Sequence, residues 1–544
     1  MTSILASVQG ASGAGYEIAL IALALLAAAA VLLAPTQAPA RLRAALLLGT
    51  VLLTPVLLAA DIWGSSPMRH LRGHPALAVG AVLAAIALIA VLSGIFLRRA
   101  WAFPLAVVFT LPFRVPITSG GDTSNLLVPL YAVVVAGVIA HAIRLLAVGT
   151  EATDPIADGR DGRGWRSALI SVRTLEWLLM ASVVLYAIQA TYSEDFSKAL
   201  QNVLFFYVPF ALMLALLAQV RWSRELLLRC VALSVTLAVV FVAIGFVEDA
   251  RKSLLLNSSL VAANVYGNYF RVNSVFYDPN IYGRYLALVM LLLACIVLCA
   301  RERRHVLICA AALVWLWAGL ITSISQTSMV ALLVGLAVLA GWRFGARKAA
   351  YAAAALVAVA VLVLLAAPSS LHFGLKGKGG SVNNATSGRA NLIRGGIDLF
   401  ADRPLTGFGS GSFASQYRSH QAASVASSTS ASHTIPVTVA AEQGILGLVL
   451  YLALVLCSVA LLFTWAGRSP PGIAIAACFT ALLVHTMAYA DFLEDPITWA
   501  LLGIGMALAA AEAHARSTQH ALSMSVGREP ASAARSPHQA TAAG

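Results

Sequence analysis

The sequence predicts an all-α fold, a polytopic integral membrane helical bundle of about 13–15 transmembrane helices, each needing roughly 20 apolar residues to cross. Three observations predict it. The 544 residues are 60% hydrophobic and 11% charged, with a mean hydropathy of +0.85, whereas soluble domains carry about 25% charged residues. Apolar stretches of membrane-spanning length recur along the whole chain. They are too long for barrel strands, and in hydrocarbon every backbone N–H and C=O needs a partner inside its own segment, so each is a helix. Finally, arginines collect in alternate short connections, the pattern that orients a multi-pass chain with its basic loops in the cytoplasm.

In chain order the apolar segments fall at about 16–35, 44–62, 76–96, 101–112, 126–146, 175–192, 199–218, 230–247, 281–300, 306–322, 327–342, 350–367, 444–466, 473–490 and 497–513. The one beginning at Trp101 is short for a crossing. With the connection at Arg301–Arg304 inside, the cytoplasmic side also receives Arg41/Arg43, Arg98/Arg99, Arg144 to Arg173, Arg221/Arg224/Arg229, Arg343/Arg347/Lys348 and Arg468. The chain then divides into N-terminal helices (1–150), a central helical core (151–367), an extracytoplasmic loop (368–434), C-terminal helices (435–513) and a cytoplasmic tail (514–544). Within the long loop, RANLIRGGIDLFADRP reads as an amphipathic surface helix with Leu392, Ile393, Ile397 and Phe400 on its apolar face and Arg389 and Arg394 toward water.

The composition excludes several function classes. A net charge of +13 and a pI of about 9.7 follow from the topogenic arginines, and no basic face interleaved with aromatics suggests nucleic acid. All six cysteines lie in apolar segments without a CxxC, so neither a disulfide framework nor a zinc site is expected. No Lys or Arg precedes the first apolar stretch, so no cleavable signal peptide is expected. No carboxylate cluster has metal-ligand spacing on the outer side, and no metal or cofactor is expected.

Chemistry concentrates where the long loop re-enters the membrane. His433 stands just before a helix start marked by Pro436, with Thr434 as a candidate cap. The positive end of that helix suits an anionic ligand. Arg284 falls near the outer end of an apolar segment, where a charge is costly and faces a cavity or a partner. Asp278 and Asn280 are suited to cap the helix after Pro279. Glu442 is read as an interfacial residue, and Gly407–Gly411 as a flexible turn.

These stretches resemble the O-antigen ligase/polymerase family. His433, Thr434, Gly444 and Gly447 follow that family's H-[N/S/Q]-x9-G-x-x-G signature, with Thr434 in the second position. RVNSVFYDPNIYGRYLAL from Arg271 resembles the family's Arg…Asp-Pro-Asn segment. SISQTSMVALL from Ser323 resembles its Ser-Arg-Gly/Thr turn, with Gln326 in place of the Arg. The stretch from Ser387 to Phe413 resembles its Arg…Pro-Leu-x-Gly-x-Gly run. The resemblance covers about 170–465 and implies a glycosyltransferase of cell-surface polysaccharide assembly at the outer face of the cytoplasmic (inner) membrane. The donor it implies is a polyprenyl-diphosphate-linked glycan, and the acceptor a hydroxyl on a glycan, a lipid or a protein. His433 becomes the general base, and Arg271, Arg284 and Arg389 the diphosphate-binding cations. The competing assignment is a transporter of a small solute, since bicarbonate-transporter-like proteins occur in the same superfamily. Against it, polarity gathers in one outer loop rather than in paired broken helices.

Overall fold

The computed structural model describes residues 14–61, 73–119, 122–148, 171–255, 270–348, 350, 389–420, 432, 434–489 and 491–526. The helices are α1 (Ala14–Leu33), α2 (Ala40–Asp61), α3 (Pro75–Arg98), α4 (Ala102–Thr110), α5 (Val128–Val148), α6 (Val172–Ala190), α7 (Phe196–Leu217), α8 (Arg224–Arg251), α9 (Pro279–Cys299), α10 (Arg303–Ser323) and α11 (Gln326–Phe344). They continue as α12 (Arg389–Asp402), α13 (Phe413–His420), α14 (Ile435–Thr464), α15 (Pro470–Thr486) and α16 (Pro496–Val526). Among the described residues, 12 helices are long and apolar enough to cross a membrane, and α15 is a shorter apolar helix. The polytopic helical bundle read from the sequence is therefore present. The apolar segment at 350–367 lies outside the described residues.

Two details differ from the expectation. The segment at Trp101 yields only the nine-residue α4, about 13 Å of helix and less than half a crossing. It is followed by a small antiparallel hairpin, β1 (Val115–Ser119) and β2 (Asp122–Leu126), in register from Val115↔Leu126 to Ser119↔Asp122. The hairpin links α4 to α5 and is the one sheet among the described residues.

Burial sorts the helices by position. From Val208 to Leu217, α7 buries every residue except Pro209, as befits a helix that is apolar all round. By contrast, α3 buries only Ser93 and Phe96 and shows Leu77, Val79, Val82, Leu83 and Ile86 outward. Because lipid tails are as apolar as leucine, helices in a bilayer are held by close packing at small residues. A Cβ on Gly335 would stand 2.3 Å from Leu291, and one on Gly137 2.4 Å from Phe103, so α11 meets α9, and α5 meets α4, nearly backbone to side chain.

At the end that carries the long loop, α12, the following turn and α13 pack on α14 around Leu392, Leu399, Phe408, Phe413, Tyr417 and Ala441. The face that α12 buries is Leu392, Gly395, Gly396 and Leu399, while Ile397 is 54% exposed. Close approach overrides hydropathy here. A Cβ on Gly396 would lie 2.4 Å from Val437, so the glycine side of α12 is the one that fits.

Candidate functional site

The site is built around a break in α14. Gly444 has φ 64° and ψ −161°, a region that essentially only glycine adopts. The break interrupts the helical ladder, so its groups need other partners. The Gly-rich turn supplies them. Phe408 N–H donates to Ala441 O at 3.1 Å, Gly409 N–H to Glu442 O at 2.8 Å, and Ile445 N–H to Pro404 O at 2.8 Å. The Gln189 amide of α6 donates to Gln443 O at 3.1 Å. A Cβ on Gly444 would meet Leu405 O at 2.5 Å, and one on Gly407 would meet Glu442 O at 2.3 Å. Gly407, Gly409 and Gly411 all have positive φ. The turn predicted to be flexible is thus fitted backbone to backbone into the gap.

Glu442 completes the junction. Its carboxylate accepts from Gly411 N–H at 2.9 Å and from Phe413 N–H at 3.0 Å, and it is buried. The interfacial position predicted for it gives way to this structural role. The two backbone N–H bonds offset part of the cost of burying it, because hydrogen bonds to a charged group are the strong ones.

Beneath the turn lies a cavity of about 320 Å³. Its walls come from the first half of α7, the N-terminal half of α14, Tyr186 of α6, Tyr277, and the Asp491–Glu494 connection between α15 and α16. Within α7 the lining residues Phe205 and Tyr207 belong to a π-helical turn, Val203–Tyr207, a form often found at functional sites. Arg114 and Lys198 are the cations in the lining, and Glu442, Asp491 and Glu494 the carboxylates. The Arg114 guanidinium lies 4.9 Å from the Tyr277 ring centre. Burial acts to lower the Arg114 pKa, but Tyr277, Asp491 and Asp495 together outweigh it and raise it. Asn202 donates from Nδ2 both to Tyr186 Oη at 2.8 Å and to Glu494 Oε1 at 2.9 Å. Burial, and then the charge of Asp491, pushes the Glu494 carboxyl up to about 7.

The predicted residues occupy different places in the fold. His433 lies outside the described residues. It precedes the lining residue Ile435 by two positions. Its neighbours are pinned: Ser432 Oγ and N–H lie 2.8 and 3.2 Å from Thr438 Oγ1, and Thr434 Oγ1 donates to Met487 O at 3.1 Å. Thr434 occupies the N-cap position of α14 but makes no side-chain cap bond, contrary to expectation, because its hydroxyl is used to tie α14 to the end of α15. Arg389 is the first residue of α12. Arg284 is buried in an ion pair with Asp495 at 2.8 Å, with Tyr489 at 6.0 Å from its ring centre. Arg271 donates from Nη2 to Asn280 Oδ1 at 3.0 Å and from Nε to Ser323 O at 3.1 Å. Asn280 Oδ1 also accepts from Ser325 Oγ at 3.0 Å, so two of the predicted motifs, the Asp-Pro-Asn helix start and the Ser-Ile-Ser turn, are knotted together by Arg271. Asp278 caps α9 as expected, accepting from Asn280 N–H at 2.6 Å. Arg271 and Arg284 stand behind the cavity wall rather than in it.

Arg114, Lys198 and Glu494 were not among the predicted site residues. Arg114 follows the short α4, and only the tertiary fold brings it to Tyr277. Among the described residues no group of three or more His, Cys, Asp or Glu is arranged to hold a metal ion.

Comparison with known proteins finds one family over part of this region. Residues 311–452 match the family model described as O-antigen ligase. The match runs from α10 across the Ser323–Ser328 turn, α12 and the Gly-rich turn into α14, and so includes both sides of the Gly444 junction. No curated protein sequence matches the chain.

Proposed function

We propose, from the premise that this chain carries an O-antigen ligase domain over residues 311–452, that it moves a glycan from a polyprenyl diphosphate to an acceptor hydroxyl at the outer face of the cytoplasmic membrane. The coarser role, a glycan-transferring membrane protein of cell-surface polysaccharide assembly, is what the family itself carries. In the proposed reaction the acceptor oxygen attacks the anomeric carbon, its proton passes to His433, and the bond from that carbon to the diphosphate oxygen breaks. The polyprenyl diphosphate departs with the electron pair. A sugar hydroxyl is a poor nucleophile at neutral pH, and an imidazole titrating near 6.5 suits the task of base. The transition state resembles an oxocarbenium ion, and negative charge grows on the diphosphate. Cations fixed beforehand stabilise that charge more in the transition state than in the ground state.

The observation that carries this proposal is the cavity at the start of α14, lined by Arg114 and Lys198 and roofed by the turn docked at Gly444. Arg114 and Lys198 join Arg389 as the cations proposed to meet the diphosphate. Arg271 and Arg284 serve the same end by fixing the wall: one ties α9 to the Ser323–Ser328 turn, the other ties α9 to the segment that carries Asp491 and Glu494.

The test is transfer by the purified, detergent-solubilised protein from a polyprenyl-diphosphate glycan to an acceptor glycan or lipid, with a chelator present. His433→Ala is expected to lower turnover by roughly 100-fold or more, the usual contribution of a positioned base, while the protein still inserts and purifies. Full activity in that variant would overturn the assignment of the base. A complete absence of transfer by the wild-type protein, together with solute uptake in proteoliposomes, would instead establish the transporter.

A further inference from the structure

A second cavity, of about 510 Å³, opens at the other end of the bundle. α7 relates the two: Lys198 near its start lines the first, while Leu216 and the Gln219 just beyond its end line the second. Some 20 residues of helix separate these positions, about 30 Å at 1.5 Å per residue. This second cavity therefore sits at the opposite membrane face, the one to which the clustered arginines assign the cytoplasm.

Its chemistry is two-sided. Phe96, Phe103, Leu216 and Leu226 give it apolar walls, and Arg144, Arg221 and Arg229 line it as cations. Arg229 lies 5.3 Å from the Trp101 ring centre and pairs with Glu225 at 2.5 Å. Glu225 is the single carboxylate among the lining residues, so the lining keeps a net positive charge. Arg144 donates from Nη2 to the carbonyls of Phe96 and Leu97, the last turn of α3. A cavity with apolar walls, a cationic mouth and a tryptophan at headgroup level matches a molecule with hydrocarbon chains and a phosphate ester. Arginine suits the phosphate by its fork of donors, and basic pockets between helices at the cytoplasmic surface bind anionic headgroups.

We infer that this cavity is a binding site for an anionic glycerophospholipid of the cytoplasmic leaflet, with the phosphate held by Arg221 and Arg229 and an acyl chain along Phe103 and Leu216. The site is distinct from the one proposed for transfer and does not depend on that proposal. Its place in the fold gives it a purpose. α3 packs along α5 but buries only Ser93 and Phe96, both near its inner end, where Ser93 Oγ also donates to Ala136 O at 3.2 Å, and the cavity lies where that end meets α4, α5, α7 and α8. A lipid seated there ties the outlying helix to the core.

The test is native mass spectrometry and thermal unfolding of the full-length protein, delipidated and then supplied with phosphatidylglycerol, phosphatidylcholine or soluble glycerol phosphate. Phosphatidylglycerol is expected to bind at least tenfold more tightly than phosphatidylcholine and to raise Tm, with glycerol phosphate without effect. Arg221→Gln combined with Arg229→Gln, both exposed positions, should erase that preference while leaving the lipid-free Tm unchanged. Arg144 is left intact because it also ties down α3. Equal binding of the two lipids, an unchanged preference in the double variant, or a response to glycerol phosphate equal to that of the lipid would each overturn the inference.

Discussion

Two junctions at the cavity end of the molecule bring distant motifs together by opposite means. At α14 the fit depends on missing side chains: Gly444 and Gly407 let two backbones meet, and backbone hydrogen bonds do the joining. At α9 it depends on side chains that are present. Arg271, Asn280, Ser325 and Ser328 form a polar knot between the helix start and the following turn. The first junction tolerates almost no added atom. The second offers several parallel bonds and can lose one. Mutations should therefore act all-or-none at α14 and by degrees at α9.

The largest effect is expected for Gly444→Ala. A methyl there meets Leu405 O at 2.5 Å while the backbone keeps φ 64°, and holding a non-glycine residue in such a region costs about 1–3 kcal/mol before any clash is counted. The turn should undock, seen as loss of glycan transfer and as new proteolytic cleavage between residues 403 and 413. Intact protection would show that the junction is softer than its geometry implies. Next comes Glu442→Ala, which strands the Gly411 and Phe413 N–H groups at about 1–3 kcal/mol each. A drop in Tm with partial loss of transfer should follow. Glu442→Gln keeps one acceptor oxygen and turns an NH2 toward the other N–H, so it should lose stability as well; a Gln variant as stable as the wild type would show that the two carboxylate bonds do not hold the turn.

Arg271→Lys should be milder. A single ammonium can keep only one of the Arg271 bonds to Asn280 and Ser323 O, a loss of about 1.5–3 kcal/mol for a bond with a charged donor, while Ser325 and Ser328 keep their bonds to Asn280. A loss as severe as that of Gly444→Ala would erase the contrast between the junctions. The smallest effect belongs to Glu494→Gln and is visible only against pH. With its folded pKa raised from 4.5 to about 7, the native state binds this proton more tightly than the unfolded chain does. The associated stability is full below about pH 4.5 and is lost as pH rises through 7. Melting curves from pH 5 to 8 should thus fall more steeply for the wild type than for Glu494→Gln; parallel curves would remove Glu494 as a titrating group.

Hydropathy made the bundle legible, because each span must be continuous and apolar to survive in lipid. It could not see α4 and its hairpin, since a half-length apolar segment looks the same whether it crosses or turns. The motif glycines were visible, but only their order could be read. That Gly444 breaks its helix to admit the turn at Gly407 is a statement about two strands of backbone meeting, and no single-chain pattern contains it. Glu442 left a usable signal, a carboxylate inside an apolar run, which points to a buried partner more often than to an interface. Arg284, a charge within an apolar run, pairs with Asp495, a partner more than 200 positions away that no local pattern could name. Arg114 left none, because its neighbours Tyr277 and Asp491 are remote in sequence. The amphipathic face of α12 misled for a related reason: side-chain hydropathy ranks Ile397 above Gly396, whereas shape complementarity prefers the residue that takes no room.

The docked turn also has a temporal meaning. Residues 404–413 leave the ribosome before α14 does, so the plug exists before the gap it fills. Until Gly444 has emerged and bent, the carbonyls it will free and the amides that seek them are separated by unfinished chain. The end of the protein that houses the cavity is consequently among the last to set, and truncations upstream of Gly444 should leave a bundle of inserted helices whose vestibule never closes.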